Sequence, residues 1–180
     1  MKIDRAKAAL LVIDMQPKVL QLISAHEETL QRCKWLVDLF EDLKVPVQFS
    51  AHYPKGLGPV SQELLDCAGT PNVISKSYFS CVEDEGVFTE KYGSHEQWVI
   101  CGIETHACVM LTALDLVAAG KQVFLVVDAV ESRSETDKIV ALQRMESAGV
   151  HMITREMALF ELLRCAGTEE FKMCSKKYLM

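Results

Sequence analysis

The chain has 180 residues, 49% of them apolar and 24% charged, which excludes intrinsic disorder and predicts a single globular domain over 1–180. Its 19 Lys+Arg against 25 Asp+Glu give a net charge of −6, which argues against a protein that grips a nucleic-acid backbone. A domain of this size buries about 70% of the surface its unfolded chain exposes, so its core needs no disulfide or metal staple.

In chain order, Ala8–Ile13 is an apolar run of strand type, closed by Asp14. Six residues are too few for a signal-peptide core, and no stretch of about 18 apolar residues follows anywhere. The expectation is therefore no leader, no membrane contact and a cytoplasmic location. Glu27–Leu43 carries Leu30, Cys33, Leu36, Val37 and Phe40 at helical spacing. Val45–Phe49 reads as a second strand and Val73–Ile74 as a third. Between them Ala51–Pro71 holds Pro54, Gly56, Gly58, Pro59, Gly69 and Pro71, and is expected to be an extended loop that shapes a pocket. Trp98–Ile103 is a fourth strand. Thr105–Ala119 is a helix apolar nearly all round, stopped by Gly120. Val123–Val127 is a fifth strand, Glu135–Ala148 an amphipathic helix, Val150–Ile153 a sixth strand and Arg155–Cys165 a last helix.

Strands without polar alternation, each followed by a helix, point to a sheet covered on both faces. The predicted class is α/β: a three-layer αβα, Rossmann-like domain around a central, mostly parallel six-stranded sheet. In such sheets ligands bind beyond the C-terminal strand ends, near the switch point. The seven cysteines are odd in number and lack CxxC spacing, which suits free thiols in a reducing compartment.

The nucleotide motifs of such folds are missing. Asp14-Met15-Gln16-Pro17 follows the first strand in place of GxGxxG, and no GxxxxGK[ST] occurs. What the strand ends carry instead is Asp14 after the first, Lys76 after the third and Cys108 in the turn after the fourth. With Thr105 as N-cap, Cys108 falls at N3, where unpaired amides and the helix dipole favour a thiolate. A nearby Lys lowers such a pKa further, and a carboxylate can take the proton. Each residue alone also has a structural reading: Asp14 as a turn or cap residue, Lys76 as a solvated loop lysine, Cys108 as a small buried helix residue.

The segments Leu11-Val12-Ile13-Asp14-Met15-Gln16, Lys76-Ser77-Tyr78-Phe79-Ser80 and Ile100–Val109, with Thr112-Ala113, Asp115 and Gly120, resemble the motifs of the isochorismatase-like cysteine hydrolases. Val127-Asp128-Ala129 with Ser132 and Arg133 also fits. The resemblance is strongest to the eukaryotic isochorismatase domain-containing proteins, whose Tyr-Pro-x-Gly-Leu-Gly-Pro segment is matched by Tyr53–Pro59. It implies a hydrolase with a Cys108, Asp14 and Lys76 triad and a covalent intermediate on Cys108. It implies a cis peptide between Ile103 and Glu104, and an oxyanion hole from the N–H groups of Glu104 and Cys108. It also suggests a homo-oligomer, a dimer or larger.

Nicotinamidases of that family carry an Asp-x-His metal motif after the second strand. Here the stretch is Ser50-Ala51-His52, so the carboxylate ligand is missing and neither a metal nor another cofactor is expected. The presence of Cys108 favours hydrolysis of a small amide, imide or related C–N bond. The alternative is a catalytically silent interaction protein that keeps the fold. His52, Tyr53, Tyr78 and Phe79 are the expected pocket residues, with further walls from Ala51–Pro71 and Tyr78–Glu85. Glu104 sets a carboxylate beside the oxyanion donors, which selects against anionic substrates or binds a cationic or N–H group. Residues from Thr168 onward are open to reading as a tail or an exchanged helix.

Overall fold

The computed structural model describes residues 1–83 and 94–180. Six strands form one sheet: β1 (Ala8–Ile13), β2 (Val47–His52), β3 (Val73–Lys76), β4 (Gln97–Ile103), β5 (Gln122–Glu131) and β6 (His151–Ile153). Their order is β3-β2-β1-β4-β5-β6 and every pairing is parallel. The chain builds outward from β1 on one side, then returns to its other side with β4. The switch point therefore lies between β1 and β4.

The helices are α1 (Pro17–Leu20), α2 (His26–Asp42), α3 (Pro54–Leu57), α4 (Gln62–Leu65), α5 (Met110–Ala118), α6 (Glu135–Ser147), α7 (Arg155–Leu163) and α8 (Glu169–Tyr178). A π-helical turn, Thr105–Val109, precedes α5. Ser134, Thr154 and Thr168 cap α6, α7 and α8, each accepting a backbone N–H three residues on.

Strand β1 is uniformly apolar, yet its period of two still sorts it between two cores. Ala8, Leu10 and Val12 pack with Cys33, Leu36 and Phe40 of α2 and Leu159 of α7. Ala9, Leu11 and Ile13 pack on the opposite face with Met110, Ala113 and Met145. Both faces being buried is why no polar alternation marks the strand.

Several sequence boundaries shift. β2 runs on through His52, and Ala51–Pro71 contains α3 and α4 rather than extended chain throughout. β5 continues to Glu131 because its register slips: Ile100 pairs with Leu125, but Gly102 pairs with Val130. Asp128 sits in that slip, accepting from the N–H and Nε of Arg155. The C-terminal segment forms α8, which lies on α2 of its own chain: Tyr178 meets Trp35 edge-on at 5.0 Å, and its hydroxyl donates to Asp42 at 2.6 Å.

Candidate functional site

Asp14 takes a left-handed backbone, φ 51°, immediately after β1. That conformation is tolerable for Asp and turns its carboxylate back toward β2 and β3. Ser50 Oγ donates to its Oδ1 at 2.6 Å, and Lys76 Nζ to its Oδ2 at 2.6 Å. The two ionic side chains are almost fully enclosed, 0% exposed for Lys76 and 4% for Asp14. Lys76 reaches inward because it ends β3, beside His52 of β2. Burial opposes its charge, but Asp14, with Cys81 and Cys108 adding to it, holds its pKa above the ordinary value.

The depth of this arrangement depends on Gly102. Its φ is +121°, and a Cβ there would lie 2.2 Å from the carbonyl oxygen of Ile13. Only glycine lets β4 approach β1 this closely beneath Asp14.

Cys108 lies in the π-turn, 7% exposed, and faces a cavity of about 110 Å³. Asp14, Gln16, His52, Phe79 and Glu104 share its wall. The expected N3 position is corrected: the cap residue is Glu104, and Cys108 is the fourth residue of a π-turn. The expected thiolate is corrected as well. Burial, then the negative charge of Asp14, pushes the Cys108 thiol well above its ordinary range, with Lys76 only partly offsetting them. The resting group is a neutral thiol next to a carboxylate.

A second thiol, Cys81, senses the same ion pair. Burial pushes it up to about 11, and it is wholly enclosed. It does not line the cavity, so of the two it is Cys108 that a ligand meets.

Of the expected pocket residues, His52 and Phe79 line the cavity, their rings stacked at 5.1 Å. Tyr53 and Tyr78 do not. Both side chains are 55% exposed; the left-handed turn at Tyr53, φ 40°, directs it to a neighbouring shallow groove with Lys55 and Ser75. Of the Tyr78–Glu85 wall, residues 84 and 85 lie outside the described residues.

The peptide bond between Ile103 and Glu104 is cis. The Glu104 carboxylate is clamped by Arg133, from Nε at 2.5 Å and Nη2 at 3.1 Å. His106 Nε2 lies 3.8 Å from it, while His106 Nδ1 meets Ser132 Oγ at 3.0 Å.

Two contributors, Gln16 and Ser50, had no site role in the sequence reading, and Arg133 was named there only as a motif residue without its Glu104 partner. Gln16, fully buried, donates from Nε2 to the carbonyls of His52 and Gly58 and accepts the His52 N–H at Oε1. It fixes the β2 end against α3. A polar residue just past an apolar strand, before a helix-starting Pro17, was the available signal. Ser50 had none, because its partner lies 36 residues away, and the pairing of the motif residue Arg133 with Glu104, 29 residues away, was equally hidden. Ser50, where a metal-binding carboxylate would be needed, is spent on Asp14.

Residues 8–157 match the model of the isochorismatase domain. A mouse (Mus musculus) protein, isochorismatase domain-containing protein 2B, is 35% identical over 167 residues, covering 93% of this chain and 79% of its own. A solved Caenorhabditis elegans structure described as MAR1 ribonuclease superposes with a TM-score of 0.92 at 32% identity, covering 100% of this chain and 93% of that one. The Escherichia coli YcaC gene product, described as an octameric hydrolase of unknown specificity, gives 0.86 at 25% identity, covering 92% and 83%.

Proposed function

The chain belongs to the isochorismatase family, and on that premise we propose that it is a metal-independent cysteine hydrolase of small amides, imides or related C–N substrates. One observation carries the reading: a carboxylate held at 2.6 Å by both Lys76 and Ser50 shares a cavity wall with the Cys108 thiol.

The neutral thiol sets the order of events. Cys108 Sγ attacks the carbonyl carbon as its proton passes to Asp14. The oxyanion is received by the N–H groups of Glu104 and Cys108; losing one such donor costs about 3 kcal/mol in the transition state. Collapse expels the amine, which takes the proton from Asp14. Water, deprotonated by Asp14, then cleaves the thioester and releases the acid and the thiol. Lys76, paired with Asp14 at 2.6 Å, holds its carboxylate in place between steps. Ser50 supports the metal-independent reading, since it replaces a carboxylate ligand and is already hydrogen-bonded.

The test is ammonia release from a panel of small carboxamides by the full chain and by Cys108→Ala. Release by the wild type that vanishes in the variant supports the mechanism; release that survives in the variant refutes it. A silent interaction protein is the second reading, favoured by the same burial that keeps the thiol protonated. It gains if no amide is turned over and Cys108→Ala leaves partner binding intact. The ribonuclease description of the worm protein makes RNA a third substrate to include; the net charge of −6 predicts no cleavage. Exposed Leu111, Ile139 and Val140 support self-association, which sedimentation at several concentrations measures.

A further inference from the structure

The cavity before Cys108 has a charge pattern that the chemistry above does not require. Among the described residues two carboxylates line it, Asp14 and Glu104, and no Lys or Arg side chain does. Asp14 is matched by Lys76, which stands behind it. Glu104 is matched by the two-point clamp of Arg133, whose own side chain is 55% exposed on the outer side. Each carboxylate in the wall is thus already neutralised from outside the cavity.

Among the described residues, a substrate carboxylate entering here loses its hydration and meets no free cation. A neutral carboxamide loses less, and its N–H can donate to a carboxylate. Size acts in the same direction. The cavity, about 110 Å³, is well below the roughly 300 Å³ at which pockets for drug-sized ligands begin. We propose that the Glu104–Arg133 pair is a charge filter that restricts this site to small, electrically neutral substrates. The proposal deepens, and rests on, the reading of Cys108 as the nucleophile. Glu104 acts as the stopper of Arg133: while the clamp holds, the guanidinium is unavailable to a substrate anion.

Iodoacetamide and iodoacetate test this directly, because they are similar in size and differ by one charge. Alkylation of Cys108 in the full chain is followed by peptide mapping, and each rate is divided by that of free cysteine in the same buffer. Iodoacetamide is expected to be favoured by at least about tenfold, since specificity here comes from an unpartnered charge. Glu104→Gln releases Arg133 and should bring the two rates within about threefold of each other. Arg133→Gln removes the cation altogether and should keep the preference at or above the wild-type value, which serves as the check if Glu104→Gln does not fold. A wild-type ratio near one, a ratio unchanged in folded Glu104→Gln, or a preference that falls in Arg133→Gln overturns the filter. The two readings fail separately. A tenfold ratio in a protein that turns over no amide supports the filter and removes the hydrolase; turnover of amides with a ratio near one removes the filter alone.

Discussion

Removing one member of the Asp14–Lys76 pair should destabilise the fold more than any ion-pair change on the surface. The reason is enclosure: the groups meet at 2.6 Å with side chains 4% and 0% exposed, so solvent screens neither. In Lys76→Met the carboxylate keeps the Ser50 Oγ bond but loses its cation. In Asp14→Asn the ammonium keeps the Tyr78 carbonyl at 3.4 Å. Leaving one buried charge uncompensated costs about 3–5 kcal/mol. With a urea slope of about 2–3 kcal/mol per molar, each single variant moves the unfolding midpoint down by about 1.5 M. The double variant, Asp14→Asn with Lys76→Met, removes both charges and should recover all but about 1 kcal/mol, because a buried pair nets little against its own desolvation. Urea titrations followed by tryptophan fluorescence and far-ultraviolet circular dichroism read the cycle, and Glu169→Gln, which breaks an exposed pair with Lys172, is the control expected to show no change. If the double variant loses the sum of the two singles, the pair is not coupled and the electrostatic account of the site is wrong.

The protonation states give a pH signature. The Lys76 pKa is raised in the folded chain, so its contribution to stability is complete below the ordinary value of 10.5 and disappears as pH climbs through the folded value; a stability profile that falls only when Lys76 is present checks this. Cys108 is raised too, so the ultraviolet thiolate difference between wild type and Cys108→Ser should be absent through pH 9, and a thiolate signal near pH 7 would contradict it. Gln16→Leu strips three partly buried hydrogen bonds and should lose about 2–4 kcal/mol, raising KM for any substrate found more than it lowers kcat. Gly102→Ala drives a methyl against the Ile13 carbonyl at positive φ and should cost about 3 kcal/mol by thermal unfolding; a variant as stable as wild type shows that β1 and β4 can separate freely.

Much of the fold was legible because it is written locally. Short apolar runs such as Ala8–Ile13, Trp98–Ile103 and Val123–Val127, each followed by helical spacing, bury both faces in a covered parallel sheet. That logic places Asp14, Lys76 and the Cys108 turn at one edge without any distance being known. The Ala51–Pro71 segment was misread because prolines at helix starts, as at Pro54, look the same in sequence as prolines in loops. The Glu131 end of β5 was missed because a register slip leaves no compositional trace.

Residue types and their order along the chain determined the sheet, its two cores and which three side chains gather at its edge. Tertiary structure alone decided their states. A turn that looked like the start of an ordinary helix became a π-turn, and enclosure turned an expected thiolate into a neutral thiol. Asp14 and Lys76, 62 residues apart, became one buried pair, and Glu104 and Arg133, 29 apart, became another. Protonation and charge balance depend on through-space separation and on how much water is excluded. Neither quantity exists until β1, β3 and β4 have come together.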